Sequence, residues 1–341
     1  MGLGFAVLPS FLAGPLIASP TFFAACPMPC SSLPKPCSVF FAMSLAPSAS
    51  AQAGPLAATA KSPAATSMPS RARFALIGFG AIAEEMLGCL EREGDASALA
   101  GVLVRSQRLA ETKRKAAGRF AVVDRVEALL ELAPDMVVEC AGHGAMRQFG
   151  AAVLAHGTSL MCSSVGVLAD RDFAASLARA ARPPAELWIP SGAIAGIDGL
   201  LAARSAGLRS VTYTSEKPPA AWIGTPAEPK LAGAAAGRRT VFFEGSAREA
   251  ATHYPQNANV GAAIGFAGLG LDRTRVRLVS DPQASGPLGV IEAEGDFGRF
   301  RFEILAYASP RNPKTSLLTA HSLLMALREG MCFALLAQLR A

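Results

Sequence analysis

The first acidic residue of this 341-residue chain is Glu84; no aspartate or glutamate precedes it. The opening also lacks the unbroken apolar run of about 20 residues that a membrane-spanning helix needs. Its start, "MGLGFAVLPSFLAGPLIASP", is interrupted by Pro9 and Pro15. The basic start of a secretory signal is missing too, although "SLAPSASAQA" imitates a cleavage region. From Ser44 to Ser70 alanine, serine, proline and threonine dominate, a composition that cannot build a core. Residues 1–70 are therefore expected to be a disordered, mis-assigned or targeting segment, with Met68 the natural start. A cytoplasmic protein without a membrane partner is the expectation.

Aromatic residues are scarce at 7%, and no Lys/Arg run with interleaved aromatics occurs, which argues against a nucleic-acid partner. Setting Lys35 and Lys61 aside from the overall charge of +6 leaves +4 from Arg71 onward, a mild excess suited to an anionic cofactor or substrate. The seven cysteines follow no zinc spacing, so neither a metal site nor a disulfide framework is expected. What the chain does have is length and apolar content, 51% hydrophobic, enough for two domains with real cores.

After Met68 the pattern alternates. "RFALIGFG", "LAGVLVR", "FAVVD", "PDMVVECAG" and "SLMCSSVG" are apolar throughout and read as buried strands, each followed by a helical stretch. Such alternation predicts a parallel sheet covered on both faces. Beyond "LWIPSGA" the texture changes: "RSVTYTSEKPP", "RRTVFFEGSA", "TRVRLVSDP", "LGVIEAEGDFG" and "RFRFEILAY" alternate in the manner of a mixed or antiparallel sheet with one covered face. A last segment, Pro313 to Leu339, reads as a helix packing back on the first sheet.

Between the first strand and its helix stands Gly78-Phe79-Gly80-Ala81-Ile82-Ala83. Gly78 permits a tight turn, Gly80 lets backbone approach a pyrophosphate, and Ala83 lets the helix sit close to the strand. Unbonded N–H groups at the helix start then face the anion. With four further strand–helix alternations behind it, this is a dinucleotide-binding fingerprint rather than a bare turn. The fold class is thus α/β: a Rossmann-type doubly wound parallel sheet plus a second α/β domain with a mixed or antiparallel sheet. The expected domains are 71–191 for the dinucleotide, completed by a C-terminal helix within 310–341, and 192–309 for substrate and dimerisation. NAD-specific folds carry Asp or Glu at the end of the second strand. Here Arg105 stands there, with Ser106 and Arg108 beside it and no carboxylate, so the cofactor expected is NADP, or NAD as well.

Several stretches, in order, resemble the L-aspartate dehydrogenase family: "IGFGAIA", "VVECAGHGA", "PSGAIAGIDGL", "SEKPPAAW", "VFFEGSAREAATHYPQNANVGAAIG" and "NPKTSLLTAHSLLMALR". The resemblance covers nearly everything after Met68. It implies an NAD(P)-dependent amino-acid dehydrogenase that oxidises L-aspartate through iminoaspartate to oxaloacetate and ammonia, in some organisms feeding NAD biosynthesis. It further implies that Ala193 and Asn259 contact the cofactor near the nicotinamide. By residue type alone, Asn259 is equally consistent with a helix cap. Lys217 and Lys314 are candidates for a substrate carboxylate. A homodimer is the default expectation.

The resemblance breaks at one place. The family carries Asn-x-His, its proposed acid/base, where this chain reads "DPQASGPLGVIEAEGDF". The alignment puts the Asn on Pro287 and the His on Gly289, which has no side chain to move a proton. Of the four histidines, His143 follows the strand "MVVECAG" at the edge where cofactors bind and is the expected substitute. His156 ends a helix, His253 reads as structural, and His321 as a core or surface residue. Two alternatives therefore stand beside aspartate oxidation: a dehydrogenase for another small dicarboxylate or amino acid, and a non-catalytic NAD(P)-binding homologue.

Overall fold

The computed structural model describes residues 73–232, 237–255, 257–309 and 312–340. The expectations for residues 1–70 lie outside these. Six parallel strands form the first sheet: β1 (Phe74–Ile77), β2 (Leu99–Leu103), β3 (Ala121–Val123), β4 (Met136–Glu139), β5 (Ser159–Cys162) and β6 (Leu187–Pro190). Between them run α1 (Ala81–Glu93), α2 (Ser106–Ala116), α3 (Val126–Leu130), α4 (His143–Ala155) and α5 (Arg171–Ala180). Strands β1, β2 and β4 are buried along their whole length, as expected of strands covered on both faces. The order is β3-β2-β1-β4-β5-β6, so the winding reverses between β1 and β4. That reversal opens a crevice at the strands' C-terminal ends, where ligands of such sheets bind.

The chain then passes through α6 (Ile197–Ser205), β7 (Leu208–Lys217), α7 (Glu228–Ala232), β8 (Thr240–Ser246), α8 (Ala247–His253) and α9 (Asn259–Ala267). Strands β9 (Arg275–Ser280), β10 (Leu288–Gly295) and β11 (Gly298–Leu305) follow. These strands make a five-stranded mixed sheet, β11-β10-β7-β9-β8, in which only β7 and β9 run parallel. One face is covered and joins the main core through Val211, Tyr213, Val276, Leu278 and Ile291. The other carries ion pairs such as Arg275–Glu244 and Arg301–Glu292, which explains the alternation seen in the sequence.

The C-terminal segment departs from the expected continuous helix over 313–339. A short pair, β12 (Ala308–Ser309) and β13 (Asn312–Ser316), precedes α10 (Leu317–Glu329). Ser316 caps α10 at its start, and Gly330 ends it in the left-handed conformation, φ 65°. The chain then adds β14 (Cys332–Ala334) antiparallel to β6 as a seventh strand, and closes with α11 (Leu336–Arg340). Helix α10 packs against α1, burying Leu323, Leu324 and Leu327 with Met86 and Leu90. Among the described residues no helix is long and apolar enough to cross a membrane.

Candidate active site

Two clefts open along the crevice. The first is about 800 Å³ and is lined by Gly78, Phe79 and Gly80 after β1, Arg105 and Arg108 after β2, and Cys140 and Ala141 after β4. Gly78 is required by the protein itself: its φ is 98°, and a Cβ there would lie 2.7 Å from the Ala141 methyl carbon. Gly80 is different, since a Cβ there would meet nothing within 4 Å. The protein leaves that space open in front of a helix whose N-cap has no side-chain bond, which is the cradle a pyrophosphate needs. Ala83, in the first turn of α1, is fully buried. The residues present fit a dinucleotide.

Arg105 is exposed and occupies the position just before α2 without a side-chain capping bond, while Arg108 pairs with Glu111 at 3.6 Å. The expectation that no carboxylate is available here needs a correction. Asp124, just after β3, lines the same cleft. Sequence spacing from β2 could not reveal it, because it arrives from the neighbouring strand.

The second cleft, about 220 Å³, lies where the first sheet's strand ends meet the covered face of the second sheet. Ser191, Gly192 and Ala193 after β6 form one wall, Asn259 of α9 another, and Tyr213, Ser215 and Lys217 of β7 a third. Gly289 stands directly opposite Ser215 in the antiparallel pair and lines the cleft as well. The structure thus brings Ala193, Asn259, Lys217 and Gly289 together. Lys314 lies on β13, and its side chain is outside the described structure; Ser316 and Thr319 beyond it reach the cleft.

Asn259 does not cap α9: the N-cap is Ala258, and no side-chain cap bond exists. Its Oδ1 instead accepts from the Gly166 N–H at 3.0 Å and meets His143 Nε2 at 3.1 Å. An oxygen can only accept, so the His143 proton sits on Nε2 and points at Asn259. Burial lowers the His143 pKa below the ordinary imidazole value, with the Asn259 bond acting the other way. Both donors being spent on the oxygen, the Asn259 amide nitrogen remains the donor this residue offers. His143 lines neither cleft. His156 bonds Thr158 Oγ1 at 2.9 Å at the end of α4. His253 meets the Phe243 and Tyr254 rings edge-on. His321 lies 3.9 Å from Cys89 between α10 and α1, away from both clefts.

Glu139 escaped the sequence reading. It is wholly buried at the end of β4, and its carboxylate accepts from the Ala141 and Gly142 N–H groups at 2.7 Å each, the Ser164 N–H at 3.1 Å and the Ser164 hydroxyl at 3.0 Å. Burial raises its pKa against those four bonds. It ties the turn after β4, one wall of the dinucleotide cleft, to the exit of β5. Lys217 was seen as a residue but not as an environment. The following "PPAAW" folds into a 3₁₀ turn over Pro219–Trp222 that returns the buried Trp222 ring to 5.3 Å from Lys217 Nζ.

A parallel sheet whose strand order reverses beneath an open glycine turn, with a small, mostly apolar cleft that carries Lys217 closed by a second sheet, defines a dinucleotide-dependent oxidoreductase. Residues 78–185 match the family described as "Homoserine dehydrogenase, NAD binding domain", and residues 198–330 match "Aspartate dehydrogenase, C-terminal". The chain is 44% identical over 260 residues to the L-aspartate dehydrogenase of Ruegeria pomeroyi, covering 76% of this chain and 92% of that one. It is 41% identical over 254 residues to that of Serratia proteamaculans, covering 74% and 95%. The aspartate dehydrogenase structure from Thermotoga maritima shares the fold, with a TM-score of 0.57 at 24% identity over 76% of this chain and 96% of that one. The chain belongs to the L-aspartate dehydrogenase family.

Proposed function

We propose that the protein is an NAD(P)-dependent L-aspartate dehydrogenase, which oxidises L-aspartate to iminoaspartate that water then converts to oxaloacetate and ammonia. The observation that carries this reading is the juxtaposition of the two clefts, the open glycine cradle of one and the lysine-bearing polar wall of the other, in a member of this family. The dinucleotide supplies the hydride acceptor. Gly78, Gly80 and the start of α1 hold its pyrophosphate, and Arg105 with Arg108 meets a 2′-phosphate when NADP is bound. The backbone of Ser191, Gly192 and Ala193 offers a flat wall, and the Asn259 amide nitrogen offers a donor fixed by the two bonds on its oxygen. Lys217 faces the acidic substrate, and Lys314 stands on β13, the strand before α10. The apolar part of the cleft, including Ile304 and Val260, keeps water from the reacting carbon.

Reductive amination of oxaloacetate with NADPH and ammonium, run against pyruvate and 2-oxoglutarate, tests this. Turnover with oxaloacetate well above the other two acids is expected. A preference for another keto acid would make the substrate a different one, and NADPH binding without turnover of any would leave a non-catalytic homologue.

A further inference from the structure

An α-amino acid does not release hydride while its nitrogen is an ammonium, because the nitrogen lone pair must form the C=N bond. Some group in the cleft has to take that proton. Among the described residues lining the cleft, only Tyr213 and Lys217 titrate. Tyr213 is 5% exposed, and burial pushes its hydroxyl up to about 12, so it keeps its proton at neutral pH.

We propose that Lys217, as the uncharged amine, removes the proton from the substrate's ammonium group. The proposal rests on the dehydrogenase reading above. One substrate N–H bond breaks and one Nζ–H bond forms. The freed lone pair makes the C=N bond as the Cα–H electron pair leaves as hydride to the oxidised dinucleotide, and Lys217 returns its proton to water after the product departs. Tyr213, Ser215 and Lys217 are alternate residues of β7 and share the cleft face. Gly289, opposite Ser215 on the neighbouring strand, lines the same cleft and places no side chain beside them.

The surroundings suit the task. No carboxylate among the described residues pairs with Lys217. Glu216, its neighbour on the strand, is bound to Arg239 at 2.6 Å; Asp281 accepts from the Gln283 N–H at 2.9 Å. Beside Trp222, Glu228 accepts from the Gly224 N–H at 2.8 Å, and Lys230 donates to the Tyr254 hydroxyl at 3.1 Å. His143 is spent on Asn259. Burial without a counter-charge lowers the Lys217 pKa to about 8, within reach of neutral pH. The Trp222 ring at 5.3 Å can still seat the ammonium once the proton has moved.

The test compares the unmodified protein with Lys217→Met and Lys217→Arg in aspartate oxidation across pH, with cofactor affinity measured separately. A base must be uncharged, so kcat/KM of the unmodified protein should rise with pH, reach half its maximum near pH 8 and level off above it. Both variants should lose on the order of 10²–10⁴-fold in kcat, with the Kd for NADP unchanged. Independently of turnover, amine methylation of Lys217 in the resting protein, followed by peptide mass spectrometry, should be half-maximal near pH 8, against about 10.4 for an ordinary lysine. A Lys217→Arg protein that keeps its kcat, or a kcat/KM that falls as Lys217 loses its proton, would make Lys217 a charged anchor for a carboxylate and overturn the proposal. Turnover surviving in Lys217→Met would sink the proposal alone. An unmodified protein inert with every amino acid would sink the dehydrogenase reading as well.

Discussion

At position 289 the difference between a side chain and none comes down to a methyl group. A Cβ on Gly289 would lie 2.9 Å from Ile194 Cδ1 and 3.4 Å from the Tyr213 hydroxyl oxygen. The clashing atom is the far end of a flexible side chain, so a Cβ at 289 is accommodated once that methyl is gone. Ile194→Val removes that carbon and little else. Gly289→His alone should therefore be strained, and paired with Ile194→Val it should raise kcat for aspartate by about tenfold, equivalent to about 1.4 kcal/mol of barrier. Cofactor affinity should stay constant, because position 289 lies outside the glycine turn. Steady-state kinetics beside a cofactor titration checks both. A double variant no faster than the parent but with normal NADP binding would show that a base at 289 does not reach the substrate.

The elements that matter most to cofactor choice are the β2–α2 turn and the end of β3. Arg105 stands just before α2 and has no ion-pair partner among the described residues, while Arg108 is held by Glu111. Asp124 brings a negative charge to the same cleft. A hydrogen bond to a charged group contributes about 1.5–3 kcal/mol. Arg105→Asp should therefore weaken NADP by roughly 10- to 100-fold while leaving NAD nearly unchanged or improved. Fluorescence titration with each cofactor decides it; equal losses for both would show that Arg105 does not read the 2′-phosphate. The turn after β4 is the stiff counterpart of this exposed one. Its conformation is fixed by the four donors on Glu139, so its shape does not wait for a ligand.

On the scale of the whole molecule, one core runs through both sheets. Leu187 and Ile189 of β6, Tyr213 of β7, Val276 of β9 and the fully buried Leu335 belong to a single cluster. Leu335 also donates its N–H to the Leu187 carbonyl at 2.9 Å, fastening the chain end to the strand that leads to Ser191 and Ala193. Leu335→Ala should cost about 2–5 kcal/mol, the range for a large apolar side chain removed from a packed core. Because the core is shared, both sheets should melt together in one transition at lower temperature. Calorimetry would contradict a shared core if the variant showed two separated transitions with only one displaced.

The parts legible in the sequence are those encoded within a few residues. Apolar runs marked β1, β2 and β4, alternation marked β7 to β11, and the Gly78–Ala83 spacing marked the dinucleotide turn, because burial on one or both faces leaves a period that neighbours alone reveal. Position 289 could be suspected only through likeness to a family. What the tertiary structure decided depends on partners far apart in the chain. Asn259, by residue type as consistent with a cap as with a cofactor contact, became the acceptor for His143, 116 positions away. Cys332–Ala334 looked helical and became a sheet edge, because β6 had an unpaired side to satisfy. Lys217 was only one lysine among others in the sequence. Its lowered pKa comes from the loss of water around it with no neighbouring carboxylate to offset it, and a charge's environment is set by the packing of the whole fold rather than by the residues beside it.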